Sequence, residues 1–417
     1  MTQELFRVFG RIGLLSFGGP AAQIALMHKE LVETRDWLTE QEFLRALSFC
    51  MLLPGPEAMQ LATYAGWKRA GITGGLICGG LFVLPGAVVI TALALAYGAY
   101  GNLPVAQALF VGVKAAVVII VIEALIKLAS RALKGPSHRA IALAAFVALF
   151  LFAVPFPVVI AAAGLIGATT VRVADNTPPA PIISLVGSAK VLMIGTAIWF
   201  APILVLVALN QSFLLDLAQF FATLAVVTFG GAYAVLAYMT QSVVVDFGWI
   251  STGAMIDALG LAETTPGPLI LVTQFVGMLA GMAQGGIGLA LVAGAVTLWV
   301  TFVPCFVWIF AGAPLIDWLD SRPRLRGALA AVTAAVVGVI ANLSLWFAMH
   351  VFFADVAPFA YWPIRTILPD LATAQPLPLL LAGLTALMLL WRKWPLPLVL
   401  VISAALSLAA SAISGVI

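Results

Sequence analysis

The chain has 417 residues, of which 63% are hydrophobic and only 9% are charged. A soluble domain could not bury that much apolar surface and still present a polar exterior, so most of this surface faces lipid. The formal net charge of +3 is modest and gives no indication of a nucleic-acid partner.

Continuous apolar runs long enough to cross a bilayer recur along the whole chain. A crossing needs about 20 residues. Because backbone groups in lipid have to pair within their own segment, each run is expected to be a helix. The period-two alternation typical of outer-membrane barrels is not seen, so the sequence predicts an all-α, polytopic integral membrane protein. The runs are Ile72–Tyr97, Val105–Leu128, Ile141–Val171, Val191–Leu209, Gly285–Phe310, Ala328–Phe353, Leu377–Trp391 and Leu396–Ile417.

The cysteines and histidines are few and far apart in the sequence. Their scatter favours packing and loop roles over a disulfide framework or a metal site, and we expect no cofactor. The residues are Cys50, Cys78, Cys305, His28, His138 and His350.

Two motifs recur after a shift of 212 residues, with no gap between them. The shift places Phe17-Gly18-Gly19 on Phe229-Gly230-Gly231 and Pro54-Gly55-Pro56 on Pro266-Gly267-Pro268. It also places Trp37 on Trp249. Chance matching of apolar residues does not explain rare residues in register, so we infer a duplication.

The predicted organisation follows from the duplication and from the composition between the copies. The first repeat covers residues 1–171, and a proline-containing cytoplasmic linker covers residues 172–190. A joining transmembrane span at 191–212 then leads to the second repeat at 213–417.

Equivalent loops of the two repeats carry opposite charge. Between the motifs, the first repeat has Lys29, Arg35 and Arg45, whereas the second has Asp246 and Asp257. The next loop reverses this bias, since residues 98–104 are uncharged and residues 317–327 contain three arginines. Because Lys and Arg accumulate on the cytoplasmic side, we predict that the repeats are inserted with inverted topology.

Glycine and proline interrupt apolar stretches in both motifs, which predicts broken or re-entrant helices. Proline is favoured at the start of a helix, so Pro20, Pro56 and Pro268 are expected to begin half-helices. Such a start directs unpaired N–H groups and the positive end of the helix dipole at its surroundings, and this suits an anion. Close packing of membrane helices is the alternative explanation for one such cluster.

The candidate site combines the four breaks with a few polar side chains. Hydroxyl groups beside the breaks are candidate donors, and Lys114 lies within an apolar span, where an ionisable residue is costly. Glu57 and Glu263 flank breaks, where each either carries a coupling proton or stabilises a half-helix start. The predicted substrate-binding residues are Ser16, Phe17, Gly18, Gly19, Pro20, Pro54, Gly55, Pro56, Lys114, Thr228, Phe229, Gly230, Gly231, Thr264, Thr265, Pro266, Gly267 and Pro268.

Both motif pairs resemble those of the chromate ion transporter family, and the resemblance covers both halves of the chain. It rests on Ser16–Ala25 and Phe49–Ala58 in the first half, and on Thr228–Leu236 and Gly260–Pro268 in the second. One departure is Ala237, where the family pattern has proline.

The resemblance implies a fused, two-domain member of the family. It implies proton-coupled export of chromate across a bacterial inner membrane, with sulfate as the competing analogue and chromate resistance as the result. Single-repeat members work in pairs, which leaves a homodimer open as a partner besides the lipid bilayer.

Three other functions stay open at the level of sequence. A pocket that binds oxyanions is also compatible with an importer of sulfate or with a passive anion channel. An intramembrane enzyme would need a nucleophile with its base, or clustered metal ligands, and the separated histidines and carboxylates do not predict one.

Overall fold

The structure is a computed structural model, and it describes residues 2–17, 19–170, 185–227, 229, 232–316 and 322–414. The helices are α1 (Thr2–Leu15), α2 (Gly19–His28), α3 (Glu40–Leu52), α4 (Glu57–Tyr100), α5 (Pro104–Ala132), α6 (Pro136–Phe152), α7 (Phe156–Thr170), α8 (Leu185–Ala208), α9 (Ser212–Val227), α10 (Ala232–Gln241), α11 (Thr252–Thr264), α12 (Val272–Gly312), α13 (Pro323–Phe352), α14 (Pro376–Ala386) and α15 (Leu396–Ile413).

The predicted class, an all-α polytopic membrane protein, is confirmed. Within the described residues, six helices are long and apolar enough to cross a membrane. Helices satisfy their own backbone groups, which is what a chain this apolar requires in lipid.

The order of elements in the first half of the chain recurs in the second half. Helices α1, α2 and α3 correspond to α9, α10 and α11, and a wide helical turn follows both α2 and α10. After each turn the same backbone hydrogen bond forms. The Trp37 N–H donates to the Leu31 carbonyl at 2.8 Å, and the Trp249 N–H donates to the Val243 carbonyl at 2.9 Å. Matching sequence motifs therefore take matching local structure.

The long helices α4 and α12 are bent at corresponding glycines. Gly71 has φ 62° and ψ −153°, and Gly286 has φ 71° and ψ −163°. The three-residue turn Leu269–Leu271 precedes α12 and has no counterpart before α4. The constant shift of 212 residues between the two repeats therefore ends at Pro268.

The expectation of one span over Ile141–Val171 is wrong. The chain breaks after α6, where Ala153 has φ 48° and Pro155 follows, because proline cannot continue the ladder of helical hydrogen bonds. Helices α6 and α7 have 17 and 15 residues, and each is shorter than the roughly 20 residues of a full crossing.

The aromatic segment before α14 forms a β-hairpin. Strand β1 (Val356–Tyr361) pairs with β2 (Ile364–Pro369) in antiparallel register. The predicted linker is outside the described residues up to residue 184, and α8 covers most of the predicted joining span.

The chain forms two compact units, and each unit contains segments of both repeats. The first unit consists of α1–α3, most of α4, α8, α9 and α12. Small residues allow its helices to approach closely. A side chain at Gly79 of α4 would meet the ring of Phe306 in α12, and the Trp199 indole of α8 donates to the Val300 carbonyl of α12 at 2.9 Å.

The second unit consists of the end of α4, α5–α7, nearly all of α10, α11, most of α13, α14, α15 and the hairpin. Helix α5 packs against α11, α14 and α15. Ala115 and Ala116 of α5 form an apolar core with Leu381 of α14 and Val399 of α15. This core joins the long span α5 to α14 and α15.

His28, at the end of α2, links the loop and helix that follow it. Its ring nitrogens lie 2.7 Å from a Glu40 carboxylate oxygen and 3.2 Å from one of Glu33. The hydrogen bond with Glu40 is the main reason that the pKa of His28 is raised above its ordinary value. The imidazolium stabilises this corner fully below the ordinary pKa of about 6.5, and the effect is lost as pH rises through the higher folded-state pKa.

We therefore expect His28→Ala to lower the melting temperature of the purified protein more at pH 6 than at pH 8. Glu40→Gln should remove most of the same pH dependence, because it removes the nearer carboxylate. An equal loss at both pH values, measured by thermal unfolding in detergent, would show that His28 acts by packing alone.

Candidate functional site

The structure confirms three of the predicted helix starts. Pro20 is the second residue of α2, Pro56 directly precedes α4, and Pro268 directly precedes the turn that leads into α12. The first N–H groups of a helix have no partner within that helix. These three helix starts are therefore candidate sources of backbone donors.

Glycine is required at the centre of each Pro-Gly-Pro motif. Gly55 has φ 115° and Gly267 has φ 89°, a region that residues with a Cβ rarely adopt. A methyl group at Gly55 would lie 2.8 Å from the Cys305 sulfur and 3.0 Å from the Gln60 amide nitrogen. Backbone conformation and lack of space both restrict these two positions.

Three breaks converge on one narrow pocket in the first unit. Pro20 comes from the first motif, Pro56 and Glu57 from the second, and Pro268 from the second repeat. Gln23, Ala58 and Leu269 complete the lining. Residues that are distant in sequence thus come together, as the duplication predicts for the two Pro-Gly-Pro motifs.

Gln23 connects the first break to the break of the second repeat. Its amide nitrogen donates to the Gly267 carbonyl at 2.7 Å and to the Ser16 carbonyl at 3.2 Å. The Gly267 N–H also donates to the Ser16 carbonyl at 2.9 Å. Gln23 is 2% exposed, and its amide oxygen has no hydrogen-bond partner among the described residues. That oxygen is an unused acceptor beside the pocket.

Two more buried glutamines support the same region. The Gln60 amide donates to the Pro54 carbonyl at 2.7 Å, and the Gln274 amide donates to the Thr91 hydroxyl at 2.8 Å and to the Ala87 carbonyl at 3.1 Å. Gln23, Gln60 and Gln274 are absent from the predicted site residues. The signal available in the sequence was an amide side chain within each otherwise apolar stretch.

The hydroxyl groups are arranged differently from the expected donors. The Ser16 hydroxyl donates to the Ile12 carbonyl at 2.6 Å, and the Thr264 hydroxyl donates to the Leu261 carbonyl at 2.7 Å. Both protons therefore complete the ends of the preceding helices. Thr265 is 5% exposed. The predicted site residues Gly18, Thr228, Gly230 and Gly231 lie outside the described residues.

The remaining predicted site residues lie at the breaks and differ in how exposed they are. Pro54 and Pro266 are buried with their neighbouring glycines, whereas Phe17 is exposed and Phe229 is partly buried. Gly19 has φ 77° and open space around it. Its backbone is accessible to a ligand at the start of α2.

The two carboxylates proposed for proton coupling occupy different places. Glu57 lines the pocket in the first turn of α4. Glu263 lies near the end of α11 in the second unit and is 6% exposed.

Lys114 lies in the second unit and forms an ion pair there. Its Nζ is 3.2 Å from Oδ1 of Asp257 in α11. The expectation that Asp257 lies in an aqueous loop is wrong, because the residue is on a packed helix and is 1% exposed. The position of Asp257 within an apolar stretch of the sequence is the feature that could have predicted its burial. Elsewhere on α5, Glu123 pairs with Lys127 at i,i+4 spacing.

Fold and site together define a class of protein. Helices that break within the membrane and start at a shared pocket are typical of secondary transporters. The pocket is lined by helix starts, whose dipoles carry partial positive charge, and by the Glu57 carboxylate.

Comparisons with known proteins identify the family. A family model described as "Chromate transporter" matches residues 3–168 and 215–408. A protein of Synechococcus elongatus named "Probable chromate transport protein" is 29% identical over 96% of this chain and 94% of its own length. The "Chromate transport protein" of Cupriavidus metallidurans is 31% identical over 81% of this chain and 80% of its own length.

A third relative, the "Chromate transport protein" of Pseudomonas aeruginosa, is 32% identical over 81% of this chain and 79% of its own length. No solved structure matches this chain. The chain belongs to the chromate transporter family and has the long-chain form, in which the family model matches in two parts. It is a membrane transporter and not an enzyme.

Proposed function

We propose that this protein carries chromate across a bacterial inner membrane as a proton-coupled exporter that confers chromate resistance. The observation that carries the proposal is the meeting of three helix starts, at Pro20, Pro56 and Pro268, in one pocket. The three relatives described above are named for chromate transport, which supports chromate as the substrate.

Backbone donors suit a transported dianion better than a ring of basic side chains. A tetrahedral oxyanion entering lipid must exchange its water shell for hydrogen-bond donors. Each helix start supplies roughly half a unit of positive charge without a fully charged side chain. The anion is then bound strongly enough to enter the site and weakly enough to leave it. Sulfate has the same shape and charge and is expected to compete.

Lys114 is the proposed attractor of the anion in the second unit. Its side chain is 19% exposed and lies on a membrane-spanning helix. A partly accessible ammonium in an apolar span is costly, and such residues usually serve transport.

Glu57 is the better supported carrier of the coupling proton. A carboxylate that lines an anion pocket repels the anion while it is ionised, so protonation of Glu57 and binding of an oxyanion favour each other. Glu263 is the second candidate, and its burial in α11 supports that role less directly.

Inverted insertion of the repeats is proposed on the remaining loop charges. Lys29 and Arg35 lie in the first inter-motif loop, Asp246 lies in the second, and three arginines lie just before or within the start of α13. A re-entrant pair α6–α7 would return the chain to the side from which it came and would keep the basic ends of that pair on the cytoplasmic side.

Vesicles containing the purified protein test the function. We expect chromate movement to be stimulated by an imposed pH gradient, to be inhibited by sulfate and to be absent from empty vesicles. Glu57→Gln should abolish the stimulation by pH and retain chromate–chromate exchange. Chromate flux that is indifferent to the pH gradient would favour a channel, and accumulation of sulfate without chromate transport would favour an importer of sulfate.

The break site is tested in the same vesicles with a matched pair of glycine variants. Gly19 and Gly248 have φ 77° and 62°, and a methyl group at either one meets no atom within 4 Å. Both substitutions therefore introduce similar backbone strain, but only Gly19 lies at a break. We expect Gly19→Ala to reduce chromate transport by about tenfold, equivalent to roughly 1.4 kcal/mol, and Gly248→Ala to leave it near the wild-type rate.

Equal rates for the two variants at matched protein levels would place the anion elsewhere. Gly164→Ala is a further control, since the nearest atom to its methyl group would be 3.4 Å away. Gly338 is unsuitable, because its methyl group would collide with the α6 backbone at Ala142 and Phe146.

Orientation is tested by cysteine labelling from each side of the membrane. Thr39 and Ser251 are the exposed N-cap residues of α3 and α11, so replacing either by cysteine removes a similar capping bond. The native cysteines are buried, which keeps background labelling low. Inverted topology predicts that Thr39→Cys and Ser251→Cys react from opposite sides, and reaction of both from one side would contradict it.

A further inference from the structure

Asp257 is held by two partners inside the second unit. Its Oδ1 lies 3.2 Å from the Lys114 ammonium, and its Oδ2 accepts a hydrogen bond from the Tyr97 hydroxyl at 2.8 Å. The carboxylate is 1% exposed and the Lys114 side chain is 19% exposed. The three residues come from α11, α5 and the last turn of α4.

The ion pair joins the half-helix α11 to the span α5. The two helices approach closely, because a side chain at Gly260 would overlap Val113. Helix α11 ends at Thr264, two residues before Pro266 of the second repeat. The pair therefore lies on the helix that precedes that break in the chain.

Lys114 has an exposed side at which a second ligand can approach. An ammonium has three donors, and the side chain is 19% exposed. Its Nζ also lies near the start of α11, since a methyl group built on Gly253 would be 3.8 Å from it. Gly253 is in the first turn of α11, where the helix dipole disfavours a cation and favours an anion. An oxyanion beside Nζ would contact the exposed side of the ammonium. Its negative charge would be attracted by the ammonium and by the positive end of the α11 dipole.

Opening such an ion pair is costly unless another charge replaces the departing partner, because an uncompensated charge in a low-dielectric interior is unfavourable. For Lys114, the replacement must be an anion. After the exchange, Asp257 would keep only the Tyr97 hydrogen bond, so the displaced state would be less stable than the paired state. That difference favours return of Asp257 and release of the anion.

We propose that Asp257 is an internal counter-ion that the transported oxyanion displaces from Lys114. The inference rests on the proposed function and adds a residue that sets substrate affinity. Asp257 competes with the oxyanion, so it weakens binding and speeds release. No covalent bond forms or breaks, since the exchange replaces one ion pair with another.

The test compares chromate transport by wild-type and Asp257→Asn protein in vesicles. Loss of the competing carboxylate should lower the KM for chromate by about tenfold and should also lower the maximal rate, because release becomes slower. The double variant Lys114→Met with Asp257→Asn removes both charges and should not show the lowered KM. A purely structural pair predicts reduced thermal stability with an unchanged KM.

Tyr97→Phe provides a second variant that keeps both charges. Without the Tyr97 donor the displaced carboxylate is less stable, so displacement is harder and the KM should rise several-fold. An unchanged KM for Tyr97→Phe would overturn the proposal even if Asp257→Asn protein does not accumulate. An unchanged or higher KM for Asp257→Asn at matched protein levels would also overturn it. Failure of wild-type protein to move any oxyanion would instead refute the proposed function.

Discussion

Backbone groups at the helix breaks have to be satisfied in a medium that offers no water, and the rest of the structure depends on how this is done. In lipid each unpaired N–H or carbonyl group is costly. Gln23 meets part of this requirement by donating to the carbonyls of Ser16 and Gly267, and Gln60 does so by donating to the Pro54 carbonyl. These carbonyl groups are thereby satisfied by neutral side chains, and in the proposed mechanism the oxyanion binds at the helix starts.

This asymmetry explains why the site suits an anion. Amide side chains donate to the carbonyls without adding net charge, so the pocket carries only the partial charges of the helix starts. The second unit uses full charges instead, since Lys114 and Asp257 neutralise each other. In both units the interior is kept close to neutral until a substrate arrives. A transporter needs that balance, because tight binding would prevent release.

Much of the fold follows from local sequence features. Proline and glycine at residues 54–56 and 266–268 dictate where helices end and begin, and their recurrence predicts matching structure in the two halves. The break at Pro155 was equally visible, yet the apolar run through residues 141–171 concealed it because hydrophobicity alone does not register backbone geometry. The hairpin at residues 356–369 alternates too weakly in polarity to stand out beside aromatic side chains.

The polar contacts were less accessible to sequence reasoning. The distribution of Lys and Arg alone predicts that Asp257 lies in a loop. Its partner Lys114 is on another helix, far away in the chain. Gln274 likewise finds Thr91 only through tertiary packing. Such pairs depend on which helix faces meet, and helical periodicity cannot specify this when apolar residues cover every face.

The central claim is that the helix starts at the breaks bind the transported oxyanion. The most direct measurement is a structure of the protein in lipid nanodiscs with tungstate, a tetrahedral dianion and a strong scatterer. The account predicts tungstate density in the pocket at these helix starts, with its oxygen atoms about 2.7–3.2 Å from the backbone nitrogens that follow Pro56 and Pro268. Well-ordered tungstate bound elsewhere, with none in the pocket lined by Pro20, Pro56 and Pro268, would contradict it.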